Sequence, residues 1–389
     1  MTNLLTSSHS LKDQLIEWRR DIHVHPELGF REERTAVRIV EVLEPLGYRL
    51  RTGVGRTGVV AELGSGSPVI GIRADMDALP IQESNDVPYA SQAAGVMHAC
   101  GHDAHIAMAL GAATLLSKGE FPGTVRFLFQ PAEEVEDEEG ISGAPRMIED
   151  GAMEGVDAVI ALHVDSAASA GIIKLDSGMA CAGVDTFYAS IIGKGGHGAM
   201  PHKTVDPVYL AGHVIMALNG IVSRRLRPHN PAVVSIGSIH GGQADNVIPE
   251  KVDLSGTIRY SEISVQEQIH AEIERALKLS QVFGGDYCLK IVKGYPPMHN
   301  DERIVSLIKE VASELIGEEK VQPPDLEMGA EDFAFFTQMV PGAMFSLGCR
   351  IEDDERQHHS PRFDIDEDCL PIGTAILAAC ALRYLETAG

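Results

Sequence analysis

The sequence is poor in aromatic residues and in basic residues. Aromatic side chains make up 5% of the 389 residues, with a single tryptophan, and 32 lysines and arginines stand against 56 aspartates and glutamates, which gives a formal net charge of −24. So negative a chain repels phosphate backbones and anionic lipid surfaces. We therefore expect a protein that binds neither nucleic acid nor membranes.

The chain also lacks long apolar runs and paired cysteines. No stretch approaches the roughly 18 apolar residues of a membrane-spanning helix, and the N-terminus has no basic segment followed by an apolar core. The six cysteines are widely spaced without a CxxC pair, which is typical of reduced intracellular proteins. These features predict a cytoplasmic protein, and its length suffices for two or three domains.

Short apolar strands are interleaved with helices over the first half of the chain. A helix is predicted over 10–20 with Ser10 as its N-cap, and a strong helical pattern covers 102–118. Strands are predicted at 58–63, 68–75, 124–130 and 156–164. This interleaving favours an α/β fold with a mainly parallel sheet, covered on both faces. The same pattern returns from Asn300 onward.

The middle of the chain has a different order of elements. Its predicted strands and helices follow the order βαββαβ, over 184–193, 205–226, 232–240, 251–260, 264–283 and 286–293. The sequence therefore predicts a discontinuous α/β domain of residues 1–183 and 297–389, interrupted by a smaller α+β domain of residues 184–296.

Cysteine and histidine cluster where a loop meets the predicted helix at 102–118. The segment from His98 to His105 has the sequence HACGHDAH, and Cys100 and His102 are side chains that a borderline-soft divalent cation selects. Two other interpretations stand beside a metal site. One is a buried cysteine next to surface histidines, and the other is a Cys100 nucleophile activated by a histidine.

Further candidate ligands follow other predicted strands. Glu133 and Glu134 come after strand 124–130, His163 lies at the end of strand 156–164, and His359 lies in a polar loop before the last helix. Of two adjacent carboxylates, one can bind a metal while the other moves protons. Each residue alone is as well explained by a solvated loop or a strand end. Because open α/β sheets carry their sites beyond the carboxyl ends of strands, the coincidence favours one metal site.

Acidic runs and two aspartates surround these candidates. The runs at 133–139 and 352–355 are typical of solvated loops, with Glu133 and Glu134 as the exceptions that are also candidate site residues. Asp75 and Asp77 alternate at the end of strand 68–75, where they could accept hydrogen bonds from metal-bound histidines or form a turn.

The middle domain carries polar residues of its own. Glycines flank His197 and let its backbone approach another group closely. Asn246 and Arg259 lie at predicted strand ends. Arg259 could form a bidentate pair with a carboxylate or an ordinary surface salt bridge.

Taken in order, these segments resemble the aminoacylase, hippurate hydrolase and auxin-conjugate amidohydrolase branch of the dinuclear metallopeptidase superfamily, peptidase family M20. The resemblance covers nearly the whole chain through the motifs DIHVHPELGF (21–30), RADMDALP (73–80), HACGHDAH (98–105), QPAEE (130–134), ALHV (161–164), GGHGAMPH (195–202), ADNVIPE (244–250), GTIRY (256–260), GAEDF (329–333) and HHSPRF (358–363).

The resemblance implies two divalent metal ions per subunit, which could be zinc, manganese, cobalt or nickel. The implied ligands are Cys100, His102, Glu134, His163 and His359. The wider superfamily has His-x-Asp where this chain has Asp75-Met76-Asp77, so Asp75 is not expected to be a direct ligand. The Cys-Gly-His segment fits the branch of the superfamily that uses a cysteine thiolate as a ligand instead.

Other roles follow from the same resemblance. Glu133 would be the general base, and His197 would stabilise the oxyanion, in some members from the partner subunit. Asn246 and Arg259 would bind the substrate carboxylate. The three remaining carboxylates would lie around the ligands or face the substrate, and they are Asp75, Asp77 and Glu331.

The implied architecture is a zinc-peptidase-like catalytic domain with an inserted ferredoxin-like lid and dimerisation domain, through which a homodimer or homotetramer would form. The implied activity is metal-dependent hydrolysis of the amide bond of small N-acyl amino acids by a metal-activated water. Three alternatives stay open: a metal-dependent dipeptidase or carboxypeptidase of the same superfamily, a non-catalytic metal-binding scaffold, and a thiol hydrolase that uses Cys100.

Overall fold

The computed structural model describes residues 2–325, 328–351, 354 and 356–388. Most of the acidic run predicted at 352–355, namely Glu352, Asp353 and Glu355, lies outside the described residues.

The helices and strands are numbered in chain order. The α-helices are α1 (Thr2–His9), α2 (Lys12–Val24), α3 (Glu33–Leu43), α4 (His102–Leu116), α5 (Gly143–Glu149), α6 (Pro207–Asn219), α7 (Ile221–Arg225), α8 (Ile263–Leu277), α9 (Leu279–Val282), α10 (Glu302–Ile316), α11 (Ala334–Thr337) and α12 (Cys369–Ala388). The strands are β1 (Arg49–Val54), β2 (Gly58–Ser65), β3 (Val69–Asp75), β4 (Gly123–Gln130), β5 (Ala158–Ser169), β6 (Ile173–Lys174), β7 (Gly178–Cys181), β8 (Gly183–Ile192), β9 (Gly196–His197), β10 (Ala232–His240), β11 (Val247–Ile248), β12 (Lys251–Tyr260), β13 (Asp286–Lys293), β14 (Met298–Asn300), β15 (Val321–Gln322) and β16 (Gly342–Arg350).

The chain forms two compact units. The first runs to Ala180 and includes His299–Asp325 and the chain from Phe335 onward, and the second comprises Cys181–Met298 with the described part of Leu326–Ala334. The sequence analysis assigned this last segment to the larger domain. The structure places it with the second unit, where the backbone amide of Ala182 donates to the carbonyl of Gly329 over 2.8 Å.

A mixed sheet forms the centre of the first unit. Within the described residues it has eight strands in the order β1-β2-β4-β3-β5-β16-β6-β15. The four strands β4, β3, β5 and β16 are mutually parallel, while β1 and β2 form an antiparallel edge. Strand β3 is buried along its whole length, as expected of a parallel strand covered on both faces. The predicted α/β fold with a mainly parallel sheet is confirmed.

Helices α4 and α12 contribute much of the first core. All residues of α4 but one are buried, so this helix carries its ligand candidates on a rigid support. Helix α12 is long and apolar enough to cross a membrane by length and composition alone. However, 72% of its most apolar window is buried inside the structure, as in the core helix of a globular protein.

The second unit has its own sheet and core. Its strands pair antiparallel in the order β10-β12-β8-β13, and α6 and α8 lie in the chain at the predicted βαββαβ positions. Alternate residues of the central strands, such as Phe187 and Ile258, join a separate apolar cluster with α6 and α8. The predicted inserted βαββαβ unit is confirmed. Strands β9 and β11 form a small additional ladder that sets His197 opposite Val247.

Candidate metal centre

Gly101 fixes the turn that presents the cysteine and histidine candidates. Its φ of 88° lies in the left-handed region, and a Cβ there would lie 2.4 Å from the Val164 side chain. Only glycine suits both conditions. The turn separates Cys100 from His102, which is the first residue of α4, so both side chains are held at the buried start of one helix.

The ligand atoms of the five proposed metal ligands converge in two groups. One group is Cys100, His102 and His163, the other is Cys100, Glu134 and His359, and within each group the ligand atoms lie within 4.8 Å of one another. Cys100 Sγ is 3.4 Å from His163 Nε2, and His359 Nε2 is 3.0 Å from Glu134 Oε1. The structure thus brings together the residues that the sequence analysis drew from four separate segments, with the thiol common to both groups.

Hydrogen bonds orient the two histidines of the first group. His163 Nδ1 donates to the carbonyl of Val164 over 2.7 Å, and His102 Nδ1 donates to the carbonyl of Asp77 over 2.9 Å. Each ring thereby keeps Nε2 for another partner. His102 Nε2 is buried and has no hydrogen-bond partner among the described residues. Since buried nitrogen atoms are rarely left without a partner, this atom fits a metal ligand whose other ring nitrogen is anchored by the protein.

The surroundings of His102 are strongly negative. Burial lowers the pKa of this histidine, but the carboxylates of Asp75 and Asp77 outweigh burial and raise the pKa to about 10. The same carboxylates would favour a metal cation in place of that proton. A cysteine, histidines and a carboxylate are also a donor set that suits zinc and its neighbours, so the residues present fit the implied metals.

Asp77 also holds Glu134, the acidic residue among the five proposed ligands. The backbone amide of Glu134 donates to Asp77 Oδ2 over 3.0 Å. Burial raises the pKa of Glu134, but the hydrogen bond from His359, together with the charge of His102 and the contact with Cys100, outweighs burial and lowers the pKa below its usual value. Glu133 is 7% exposed, and one of its carboxylate oxygens lies within 4.8 Å of ligand atoms of His102 and Glu134. The two adjacent glutamates therefore both reach the cluster.

Asp75 lies behind the cluster in a chain of buried polar contacts. The amide of Val164 donates to His105 Nε2 over 3.0 Å, which leaves Nδ1 of this ring to donate to Asp75 Oδ1 over 2.6 Å. Arg73 donates to Asp75 Oδ2 over 2.6 Å. Burial raises the pKa of Asp75, but the Arg73 guanidinium, His102 and His105 together outweigh burial and hold the pKa well below its usual range. Asp75 is thus a carboxylate that anchors other side chains.

Sequence reasoning gave no role to Arg73, His105 or His358. Arg73 could have been noticed as a charged residue inside an apolar strand, and His105 as a histidine one helical turn after His102. His358 Nδ1 lies 3.8 Å from Cys100 Sγ, and burial lowers the pKa of this histidine to about 2. Its neighbour His359 has a left-handed φ of 59°, which turns the two successive rings in different directions.

A buried ionic network supports the start of α4. Arg19 is fully buried and donates to Asp103 over 2.8 Å and to Asp364 over 2.7 Å. His23 Nδ1 lies 2.8 Å from the same oxygen of Asp103. These contacts join α2 and the loop before α12 to the residue that follows His102. The network thereby fixes the helix end that carries the ligand candidates.

The remaining candidates belong to the second unit. The amide of Ala199 donates to His197 Nδ1 over 3.1 Å, so a neutral ring carries its proton on exposed Nε2. The amide of Gly198 donates to the carbonyl of Asn246 over 2.8 Å, which holds His197 and Asn246 together at the end of the small ladder formed by β9 and β11.

Arg259 and Glu331 differ in their partners. Arg259 is half-buried, has no ion-pair partner among the described residues, and burial lowers the pKa of its guanidinium. The backbone amide of Phe333 donates to Glu331 Oε1 over 2.9 Å, and Glu331 is buried. An unpaired, half-buried cation is suited to an anionic ligand, whereas the Glu331 carboxylate already has a structural contact within its own segment.

Comparisons with known proteins identify the family of the chain. A family model described as peptidase family M20/M25/M40 matches residues 71–383. The thermostable carboxypeptidase 2 of Saccharolobus solfataricus is 37% identical over 96% of this chain and 96% of its own length. The N-acetyl-L-cysteine deacetylase of Bacillus subtilis is 38% identical over 97% of this chain and 90% of its own. The crystal structure of the Bacillus subtilis YXEP protein, a dinuclear metal binding peptidase, has 34% identity and a TM-score of 0.86 over 97% of this chain and 99% of that chain.

Proposed function

Because the chain belongs to peptidase family M20/M25/M40 and is a metal-dependent hydrolase, we propose that it hydrolyses the amide bond of N-acyl amino acids. The observation that carries the proposal is the convergence of Cys100, His102, Glu134, His163 and His359 beside the carboxylate of Glu133. The name of the Bacillus subtilis deacetylase supports the substrate class, because an N-acetyl amino acid is the simplest N-acyl amino acid.

The two groups of side chains suggest how two divalent cations would be held. Cys100, His102 and His163 would hold one ion, and Cys100, Glu134 and His359 would hold the other, with the cysteine shared. When bound, the ions would supply Lewis acidity, which polarises a carbonyl oxygen and lowers the pKa of water. Asp77 and the chain of contacts through Asp75 would keep the histidine rings oriented toward them.

Glu133 would move the protons of the reaction. Its carboxylate is buried beside the cluster and would accept a proton from the attacking water as the new C–O bond forms. The same carboxyl group would then give this proton to the amine nitrogen as the C–N bond breaks. The products are a free carboxylic acid and a free amino acid, without a covalent intermediate on the protein.

The second unit would supply the groups that recognise the substrate. Arg259 would pair with the carboxylate of the amino acid, because its guanidinium lacks an ion-pair partner among the described residues. Asn246 would donate to the same carboxylate, and the Nε2–H of His197 would donate to the oxyanion. Glu331 would have a supporting role. We further propose that this unit is a lid and dimerisation domain of a homodimer or homotetramer, with a catalytic role for residues 1–183 and 297–389.

A carboxypeptidase is the second candidate function, and the relative from Saccharolobus solfataricus favours it by name. The same residues could cleave a peptide bond next to a terminal carboxylate. The thiol hydrolase has less support, because burial and the neighbouring Glu134 and Glu133 raise the pKa of the Cys100 thiol well above its usual value. A neutral thiol is a poor nucleophile, whereas a bound cation would stabilise the thiolate.

A substrate panel separates these candidates. The purified protein would be stripped with a chelator, restored with single metals, and assayed for free amino acid released from N-acetyl, N-benzoyl and longer N-acyl amino acids and from dipeptides. We expect metal-restored release from the N-acyl set. Release from dipeptides alone would favour the peptidase. Metal binding without release from any member would contradict the proposal and favour the scaffold.

A further inference from the structure

The loop after β4 carries both glutamates of the cluster and contains an unusual backbone conformation. Ala132, which directly precedes Glu133, has a φ of 46° and is fully buried. A non-glycine residue in the left-handed region is strained and persists only when its surroundings enforce that conformation. The groups around Ala132 therefore determine the backbone conformation that leads into Glu133.

Backbone hydrogen bonds hold the loop on both sides of Glu133. The amide of Ala132 donates to Glu32 Oε1 over 2.8 Å, and its carbonyl accepts from the amide of Gly143 over 2.9 Å. The amide of Glu134 donates to Asp77 Oδ2 over 3.0 Å. The contact with Asp77 holds the backbone of Glu134, a proposed metal ligand. The contact with Glu32 holds the backbone of Ala132, the residue before the proposed base.

Glu32 is itself held in place by buried contacts. It is fully buried just before α3, and its Oε2 accepts from Thr57 Oγ1 over 2.5 Å. The start of α3 is capped by a different carboxylate, because the amide of Thr35 donates to Glu27 Oε2 over 2.8 Å. Glu32 is therefore not needed as a helix cap, and its side chain extends to Ala132 instead.

The segment before Glu32 also packs against the loop. A Cβ added to Gly29 would lie 2.3 Å from the Val135 side chain and 3.0 Å from the Ala132 Cβ. The glycine thus allows the two segments to approach closely. This approach brings the Glu32 carboxyl group within reach of a backbone amide one hundred residues later.

We propose that Glu32 is a positioning residue for Glu133, whose carboxyl group holds Ala132 in the left-handed conformation and so directs the following side chain to the cluster. The inference rests on the proposed function, since it concerns the base of that reaction. Glu32 touches the backbone of the neighbouring residue and acts through it. Small displacements of a reacting group are costly in catalysis, and a shift of about 1 Å can lower a rate about 10²-fold.

The contact needs an acceptor oxygen at Glu32 and does not need a negative charge. Burial and the nearby carboxylate of Asp77 raise the pKa of Glu32 to about 7, so both protonation states exist near neutral pH. In either state, the oxygen that faces Ala132 can accept from its amide. Glutamine offers the same oxygen at the same distance from the backbone, while its amide group can donate to the Thr57 hydroxyl.

Two variants of almost equal size separate the acceptor from the space that it fills. Glu32→Gln keeps the acceptor and is expected to retain kcat close to that of the wild type. Glu32→Met fills the site without an oxygen and is expected to lower kcat about 10- to 100-fold with an unchanged KM and metal content. Should Glu32→Met fail to fold, Glu32→Asp provides the same test, because it keeps the charge but is one methylene too short to reach Ala132.

A second substitution distinguishes positioning from general damage. Ala132→Gly removes the cost of the left-handed conformation, so Glu32→Met with Ala132→Gly is expected to recover most of the lost kcat. Hydrogen exchange of the segment around Ala132, followed by mass spectrometry, is expected to be faster in Glu32→Met and unchanged in Glu32→Gln. Equal kcat in the Met and Gln variants, or equal exchange in both, would overturn the proposal.

These outcomes are distinguishable from a failure of the proposed function. If the wild type released no amino acid from any N-acyl substrate, the proposed function would fail. Hydrogen exchange would in that case still test whether Glu32 holds Ala132. If the wild type were active and Glu133→Gln inactive, a normal kcat in Glu32→Met would reject the positioning role of Glu32 and leave the proposed function standing.

Discussion

Glu133→Gln is expected to lower the kcat for N-acyl amino acids by about 10³-fold or more while both metal ions stay bound. Glutamine preserves the size and the buried position of the side chain, but it cannot accept a proton from water or return one to the amine. The proposed ligands, including Glu134, are unchanged. Steady-state kinetics and metal analysis of the same preparation measure the two effects.

Glu138→Gln is the matched control for this prediction. Glu138 belongs to the same acidic run, and its side chain is 89% exposed. We expect normal kcat and normal metal content in this variant. Substantial turnover by a metal-loaded Glu133→Gln protein would remove Glu133 from the role of base, and loss of metal from that variant would show that Glu133 is a ligand instead.

Cys100→Ala is expected to lower the bound metal from about two ions per chain to less than one. It is also expected to lower kcat by about 10²-fold or more, since replacing residues that only support metal ligands already lowers activity by up to about 10²-fold. The reason is that Cys100 belongs to both groups of ligand atoms. His163→Ala removes a ligand from one group only, so it is expected to release one ion and keep the other.

Cys288→Ala controls for the loss of a thiol. Cys288 is exposed on β13, in the second unit, and belongs to neither group of ligand atoms. We expect it to keep both ions and full activity. Equal metal content in Cys100→Ala and the wild type would contradict the assignment of Cys100 as a shared ligand. A metal-free wild type that kept its activity and lost it on alkylation of its thiols would instead support a thiol hydrolase.

The ligand candidates could be predicted because their signals are local. HACGHDAH places a cysteine and histidines beside a helix start, QPAEE ends one apolar strand, and ALHV lies within another, which extends beyond its predicted end to Ser169. Parallel strands gather such ends at one edge of a sheet. The βαββαβ order of the second unit was also predictable, since each element is long enough to show its own periodicity.

The supporting contacts could not be predicted, because they join residues that are distant in the chain. Glu32 contacts Ala132, and Arg19 contacts Asp103 and Asp364, yet no local pattern indicates which buried charge meets which partner. These contacts depend on how α2, α3 and α4 pack together. Arg73 was visible as a charge in an apolar strand, but its partner was not.

Local capping was also misjudged at the N-terminus. The helix expected over 10–20 is present as α2, but it begins at Lys12, and Ser10 lies between it and a further helix, α1, that was not predicted. Its hydroxyl donates to the carbonyl of Ser7 over 2.6 Å and caps no amide of α2. Serine can bond to either side of its own backbone, so the residue type alone does not determine the helix start.

The account depends most directly on the requirement for two ions at one cluster. Metal-free protein would be titrated with a single divalent metal while amino acid release from an N-acetyl amino acid is measured at each step. We expect no release without metal and a rise in activity that ends at about two equivalents per chain, as two ligand groups with a shared cysteine require. Full activity in the stripped protein, or no release at any metal content, would contradict the account.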